Sequence, residues 1–223
     1  MYTPKPYIED DLNVLHAHMR QWSFATLITH GENGVQATHL PFLLETSADT
    51  SQTPAQDPAL GVLVTHLARA NPQYQDLKAG APALVIFQGP HAFVSPSWYV
   101  NQLTFPTWNY TAIHARGQPI LFEEPDDILA ILKKTVLTYD TPVGGSWKFG
   151  AMPDELIRSR MKAIFALRIP IATLEGKFKL NQDKTHEDRL GVVTALEQQN
   201  DPQSQETAAF MRAFLDLDPT PSS

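Results

Sequence analysis

The thirty residues from Phe87 to Arg116, FQGPHAFVSPSWYVNQLTFPTWNYTAIHAR, constrain this chain more than any other stretch. Seven of the chain's 21 aromatic residues stand there: Phe87, Phe93, Trp98, Tyr99, Phe105, Trp108 and Tyr110. Gln88, His91, Ser95, Ser97, Thr107, Asn109, His114 and Arg116 are interleaved with them, and Pro90, Pro96 and Pro106 set the turns. Aromatic residues suit a pleated, half-buried surface, whereas proline cannot donate to a sheet ladder. The stretch therefore reads as strands broken by turns. A plain hairpin would account for any one of these residues. The block as a whole suits a flat, polar-edged ligand, because small-molecule sites are mostly apolar with a few placed polar groups.

The rest of the chain supplies a β-rich frame. Ile8, Leu12, Leu15 and Met19 fall at helical spacing behind the acidic run Glu9 to Asp11, so a helix is expected from Ile8, with His16 and His18 on its surface. Phe24–Thr29 and Val35–Glu45 form a hairpin across a Gly31–Gly34 turn, with Pro41 marking an edge or bulge. Thr46–Pro58 reads as a loop, Leu60–Leu67 as a strand, and Asn71-Pro72 as the opening of a short helix. Ala83–Gln88 is apolar enough for a strand buried on both sides. Helices are expected over 125–139, 153–161, 185–199 and 204–217. Between them lies either a strand pair or one bent strand over Ala163–Leu180, with a turn near Glu175-Gly176. Hairpin following hairpin, with helices as additions, predicts a mainly β (α+β) fold. The best match is a six- or seven-stranded antiparallel Greek-key barrel with peripheral helices, a single domain over 1–217 and a frayed tail at 218–223.

Composition removes several functions. Zero cysteines exclude disulfides, thiolate catalysis and Cys-ligated zinc. No run is long and apolar enough for a transmembrane helix. The start, MYTPKPYIEDD, lacks the basic and apolar parts of an export signal, so the cytoplasm is the expected compartment. A net charge of −7 with scattered basic residues is a poor match for direct DNA binding. Dinucleotide, phosphate-loop, zinc-protease and nucleophile-elbow motifs are all missing, and no metal site is expected.

Six ordered blocks resemble the PaiB family, described as FMN-binding negative transcriptional regulators. They are MYTPKPY at the start, ATHLP (37–41), HLARANPQ (66–73), IFQGPHAFVSPSWY (86–99), PTWNYTAIHARG (106–117) and LEGKFKLNQ (174–182). The resemblance implies a split barrel of the pyridoxamine-phosphate-oxidase type, a homodimer with flavin at the subunit interface. It places His66, Arg69 and Asn71 at the phosphate, and Thr38 and His39 along the ring system. Phe87, Gln88 and Gly89 would pass the isoalloxazine, the glycine permitting close approach. Ser95, Ser97, Trp98 and Tyr99 would line the pocket, Thr107, Trp108 and Asn109 would come from the partner chain, and Lys177, Lys179 and Gln182 would serve the ribityl or phosphate end. For Lys177 and Lys179 a charged edge strand is the competing reading. Whether the chain is an enzyme stays open. Beside the regulator stand an FMN-dependent oxidoreductase or flavin reductase using NAD(P)H, and a haem-binding or haem-degrading split barrel.

Overall fold

A computed structural model describes residues 1–46 and 59–217. The tail expected at 218–223, and the expected loop beyond its first residue, Thr46, lie outside the described residues. Among those described are nine strands. These are β1 (Ile8–Glu9), β2 (Phe24–Gly31), β3 (Gly34–Pro41), β4 (Leu43–Glu45), β5 (Val62–Ala68), β6 (Ala83–Val94), β7 (Thr107–Gly117), β8 (Ile120–Phe122) and β9 (Ile164–Lys179). The helices are α1 (Leu12–Gln21), α2 (Gln73–Lys78), α3 (Pro125–Tyr139), α4 (Asp154–Met161), α5 (His186–Glu197) and α6 (Pro202–Phe214). Hydrogen-bonded order is β3-β2-β6-β7-β9-β5-β4, with β1 and β8 each paired to β9. Nine strands exceed the six or seven expected because β1, β4 and β8 have only two or three residues each, too short for a period-2 signal to register.

The contacts of the chain gather into two compact units. Of the described residues, the smaller contains 1–18, 88–113 and 175–217, and the larger contains 19–46, 59–87 and 114–174. In the larger unit β2 and β3 form the expected hairpin, its register running from Phe24↔Pro41 to Gly31↔Gly34. Gly34 closes that turn at φ +86°, a backbone state that glycine adopts without strain. α3 and α4 cover β5 and β9, and Val62, Val64, Ile128, Ile131, Met161 and Ala166 bury one another there. In the smaller unit β1 pairs with the end of β9, placing Ile8 opposite Lys177 and Glu9 opposite Gly176. α5 and α6 pack together alongside.

Several sequence expectations change. Ile8 and Glu9 are strand, and the helix starts at Leu12, where Asp11 Oδ1 accepts the Asn13 N–H at 2.8 Å. His16 and His18 are buried rather than surface residues. His18 lies 5.1 Å from the ring of Phe178 and places Nε2 2.8 Å from Thr111 Oγ1, a tertiary contact that helical spacing cannot forecast. Ala83–Gln88 belongs to one twelve-residue strand whose burial alternates, so it is not covered on both sides throughout. β9 is one continuous strand through Pro170, and Gly176 lies within it rather than in a turn. A Cβ on Gly176 would come within 2.4 Å of Leu15 and 2.6 Å of the Glu9 carbonyl, so the glycine is there for close packing.

Candidate functional site

Six of the sequence-chosen residues belong to the larger unit. Neighbours on a strand face opposite sides of the sheet, so Thr38 and His39 of β3 cannot lie along the same face of one ring. Thr38 Oγ1 accepts from Asn71 Nδ2 at 2.9 Å, while Asn71 Oδ1 accepts the Gln73 N–H, also at 2.9 Å, at the start of α2. His39 is exposed and sits across from Thr26, its Nδ1 3.0 Å from the threonine hydroxyl. His66 is half-buried, and burial pushes its pKa below the ordinary value, which keeps the ring neutral near pH 7. Arg69 is ion-paired with Glu123, and its guanidinium lies 5.9 Å from the Tyr74 ring centre. Tyr74 donates to the same carboxylate at 2.9 Å, and the hydrogen bond from Arg69, then that from Tyr74, holds Glu123 below the usual range. Phe87 is core: it is 1% exposed and meets Phe42 at 6.0 Å between ring centres.

The other twelve belong to the smaller unit, where several make contacts within the unit. Gln88 is exposed, 3.3 Å from His91 Nδ1. A Cβ on Gly89 would meet Thr111 Oγ1 at 2.2 Å and His18 Nε2 at 2.5 Å, so side chains of its own unit already occupy the space beside that glycine. Ser95 accepts the Ser97 N–H at 3.3 Å and caps the short turn Pro96–Trp98. Trp98 is half-buried, and its carbonyl would lie 2.2 Å from a Cβ on Gly191. Gln182 folds back on its own strand end, accepting from the Leu180 N–H at 2.7 Å and donating to the Phe178 carbonyl. Asn109 is fully buried with Nδ2 3.3 Å from Met211 Sδ, and its Oδ1 has no hydrogen-bond partner.

The remaining members form two clusters. On β7, Trp108 and Tyr110 face the side opposite to Thr107 and Asn109. Trp108 is 54% exposed and stands 6.0 Å from Phe93, itself 47% exposed, and 6.3 Å from His91. Lys177 places Nζ 5.2 Å from the Tyr110 ring and 5.7 Å from that of Tyr2, and donates to the Tyr2 carbonyl at 3.1 Å. This is an open aromatic platform edged by a lysine. The alternation of aromatic and polar residues in the sequence pointed to it, but His91, Phe93, Tyr110 and Tyr2 were not among the chosen site residues. The second cluster surrounds Lys179, which donates to Thr107 Oγ1 at 2.6 Å and to the Trp108 carbonyl at 2.8 Å. Tyr99, buried, accepts from Asn181 Nδ2 beside it.

Residues 1–173 match the family described as "Putative FMN-binding domain". The protease synthase and sporulation protein PAI 2 of Bacillus subtilis is 28% identical over 218 residues, covering 96% of this chain and 98% of that protein. A FAD- and haem-binding protein from Mycobacterium smegmatis superposes with TM-score 0.53 at 17% identity, over 82% of this chain and 78% of that one. The conserved protein Rv2991 of Mycobacterium tuberculosis gives 0.56 at 9% identity, over 83% of this chain and 95% of that one. At such identities the structural likeness speaks for the fold, the antiparallel split barrel expected from the sequence. No helix among the described residues is long and apolar enough to cross a membrane.

Proposed function

The chain belongs to the FMN-binding domain family, and we propose that it binds FMN and acts as a negative transcriptional regulator of the PaiB type. The observation that carries the reading is the open platform of Trp108, Phe93, His91 and Tyr110 with Lys177 at its edge. A planar ring system gains from offset or edge contact with such faces, and an exposed indole is a costly surface to leave bare. Lys177 supplies the positive charge that suits an electron-rich ring edge or an anionic tail. When bound, FMN would supply reversible one- or two-electron chemistry. The protein's part would be to hold the ring and restrict water around it. Large apolar side chains left open in the same unit, Tyr2, Leu103 and Phe105 with Trp108, support a homodimer as the working form. A chain of net charge −7 favours repression through a partner protein over direct operator contact.

The test is FMN fluorescence during titration into purified protein, with mass measured in solution. Saturable quenching that Trp108→Ala weakens at least about tenfold, the scale of one stacking contact, supports the platform. Quenching that is absent in the wild type would remove FMN from the reading. A monomeric mass at all concentrations would remove the dimer. A gel shift that fades steeply with salt would replace indirect repression with direct DNA binding.

A further inference from the structure

The turn between β2 and β3 ends on Asn33-Gly34, and of the chain's seven asparagines Asn33 alone is followed by glycine. An asparagine side chain carries its own electrophile, the Cγ carbonyl, within reach of the backbone nitrogen of its successor. Attack by that nitrogen closes a five-membered ring, and groups held in one chain react as a unimolecular pair. Access decides the rate. The nitrogen must swing onto Cγ, and a side chain on the successor stands in its way.

Three features leave this approach open at Asn33. The residue is exposed at the tip of the hairpin, between the paired Gly31 and Gly34. A Cβ built on Gly34 would meet nothing within 4 Å, so the space beside the attacking residue is empty. Gly34 stands at φ +86°, and glycine's wide backbone freedom lets its peptide turn toward Cγ at little cost. Each of the other asparagines lacks at least one of these. Asn71 precedes proline, which has no N–H to give up. Asn109 and Asn181 are buried. Asn13 lies in α1 before the β-branched Val14, and Asn200 is followed by Asp201. Asn101 Oδ1 accepts the Leu103 N–H at 3.1 Å, which ties that side chain to its own turn.

We propose that Asn33 is a self-modification site, which cyclises onto Gly34 and ages to aspartate and isoaspartate. In the first step the Gly34 nitrogen gives its proton to solvent base and bonds to Asn33 Cγ. The Cγ–Nδ2 bond breaks, and ammonia leaves with a proton from water. In the second step water opens the ring. Cleavage at Cγ yields aspartate, and cleavage at the backbone carbonyl yields isoaspartate, whose main chain runs through Cγ. No electron is transferred; one water is consumed and one ammonia released. Both products add a carboxylate beside Glu32, in a turn where Asp76 Oδ1 already lies 1.9 Å from the place of a Gly31 Cβ. Isoaspartate also adds one methylene to the main chain of the turn that sets the β2–β3 register. The chemistry needs no flavin and stands apart from the aromatic platform.

The test is ageing of the folded, full-length protein at physiological temperature and mildly alkaline pH. Peptide mapping by mass follows the loss of ammonia. Isoaspartate is read by methyl transfer from labelled S-adenosylmethionine with a purified isoaspartate methyltransferase, which esterifies its free α-carboxylate. The Asn33 peptide is expected to gain one mass unit, and the methyl label, at least about tenfold faster than the peptide of any other asparagine, the ratio for a barrier lower by about 1.4 kcal/mol. Asn33→Ser keeps a turn-forming residue without the electrophile, so its hairpin peptide should gain neither. The aged wild-type fraction, separated by its added charge, should melt below fresh protein, whereas aged and fresh Asn33→Ser should melt together. Gly34→Ala should slow the gain at least about tenfold. Where strain at φ +86° unfolds that variant, the comparison with Asn101 and Asn200 in the wild type carries the test. Gain at Asn33 only after unfolding in urea would overturn the proposal, because the native turn would then hold the asparagine out of reach. Equal gain at Asn33, Asn101 and Asn200 would overturn it too, since the glycine and the turn would then confer nothing. Mass gain without methyl label would overturn the isoaspartate product.

Discussion

In the larger unit Arg69 meets Glu123, and Lys134 and Arg168 both meet Glu45, whereas in the smaller unit Lys177 and Lys179 end on carbonyls, a hydroxyl and aromatic rings. Taking a cation partly out of water is costly, and burial accordingly pushes Lys179 below its ordinary pKa, an effect that the Asp183 charge opposes. The smaller unit does pair Lys184 with Asp183 and Arg212 with Glu197, so the contrast is confined to Lys177 and Lys179, whose ammonium groups hydrogen-bond to neutral oxygens. By this criterion Arg69, the most obvious phosphate ligand in the sequence, is the weaker candidate as it stands. A phosphate there would have to take the guanidinium from Glu123.

The comparison can be broken first by packing. Phe178 in the smaller unit and Phe165 in the larger are both fully buried, so Phe178→Ala and Phe165→Ala should each cost about 3–5 kcal/mol in urea unfolding. Because β6, β7 and β9 each contribute to both units, a single transition is expected for either variant. Two separated transitions, one for each variant's own unit, would mean that the halves are independent domains.

Acid comes next. Burial lowers the His18 pKa to about 4, against 6.5 for the free side chain. The unfolded chain therefore takes up a proton near pH 6.5 that the folded chain refuses until about pH 4. Stability is full above pH 6.5 and falls through that window, by about 3 kcal/mol at its foot. His66 in the larger unit, also lowered by burial, acts with the same sign. Urea midpoints from pH 7 to 4 should show the loss, and His18→Gln should flatten much of it.

Gly89 separates packing from cofactor contact. With Thr111 and His18 filling the space beside it, Gly89→Ala should destabilise the protein by about 1–3 kcal/mol through overpacking. Thermal melts would show this without flavin. An unchanged melting point combined with lost FMN binding would reinstate the glycine as a point of flavin approach. The smallest effect is expected at Glu123→Gln, which releases Arg69 at the surface. Stability should hardly move, since exposed pairs contribute little, and FMN affinity should rise about two- to fivefold only if Arg69 serves the phosphate. No change in affinity would leave Arg69 a structural residue.

Local signals carried much of the fold. The Gly31–Gly34 hairpin, the stripe of α3, the helix that follows Thr185 and the strand character of β7 all follow from period and turn chemistry between near neighbours. The six sequence blocks were enough to identify the family and its cofactor. The site was less legible. Phe87 and Trp108 are both aromatic residues on strands, yet one is core and the other bare, because their exposure depends on what packs against each strand face. Thr38 and His39 are adjacent in the chain and opposed in space. Tyr7, Tyr99, Lys179 and Asp183 line one pocket yet come from three distant parts of the sequence, and no spacing rule links them. By itself the sequence determined the strands, the turns and the stock of donors. Tertiary structure alone decided which charges are neutralised and which buried polar atoms are left wanting, since those depend on partners brought together by long-range pairing.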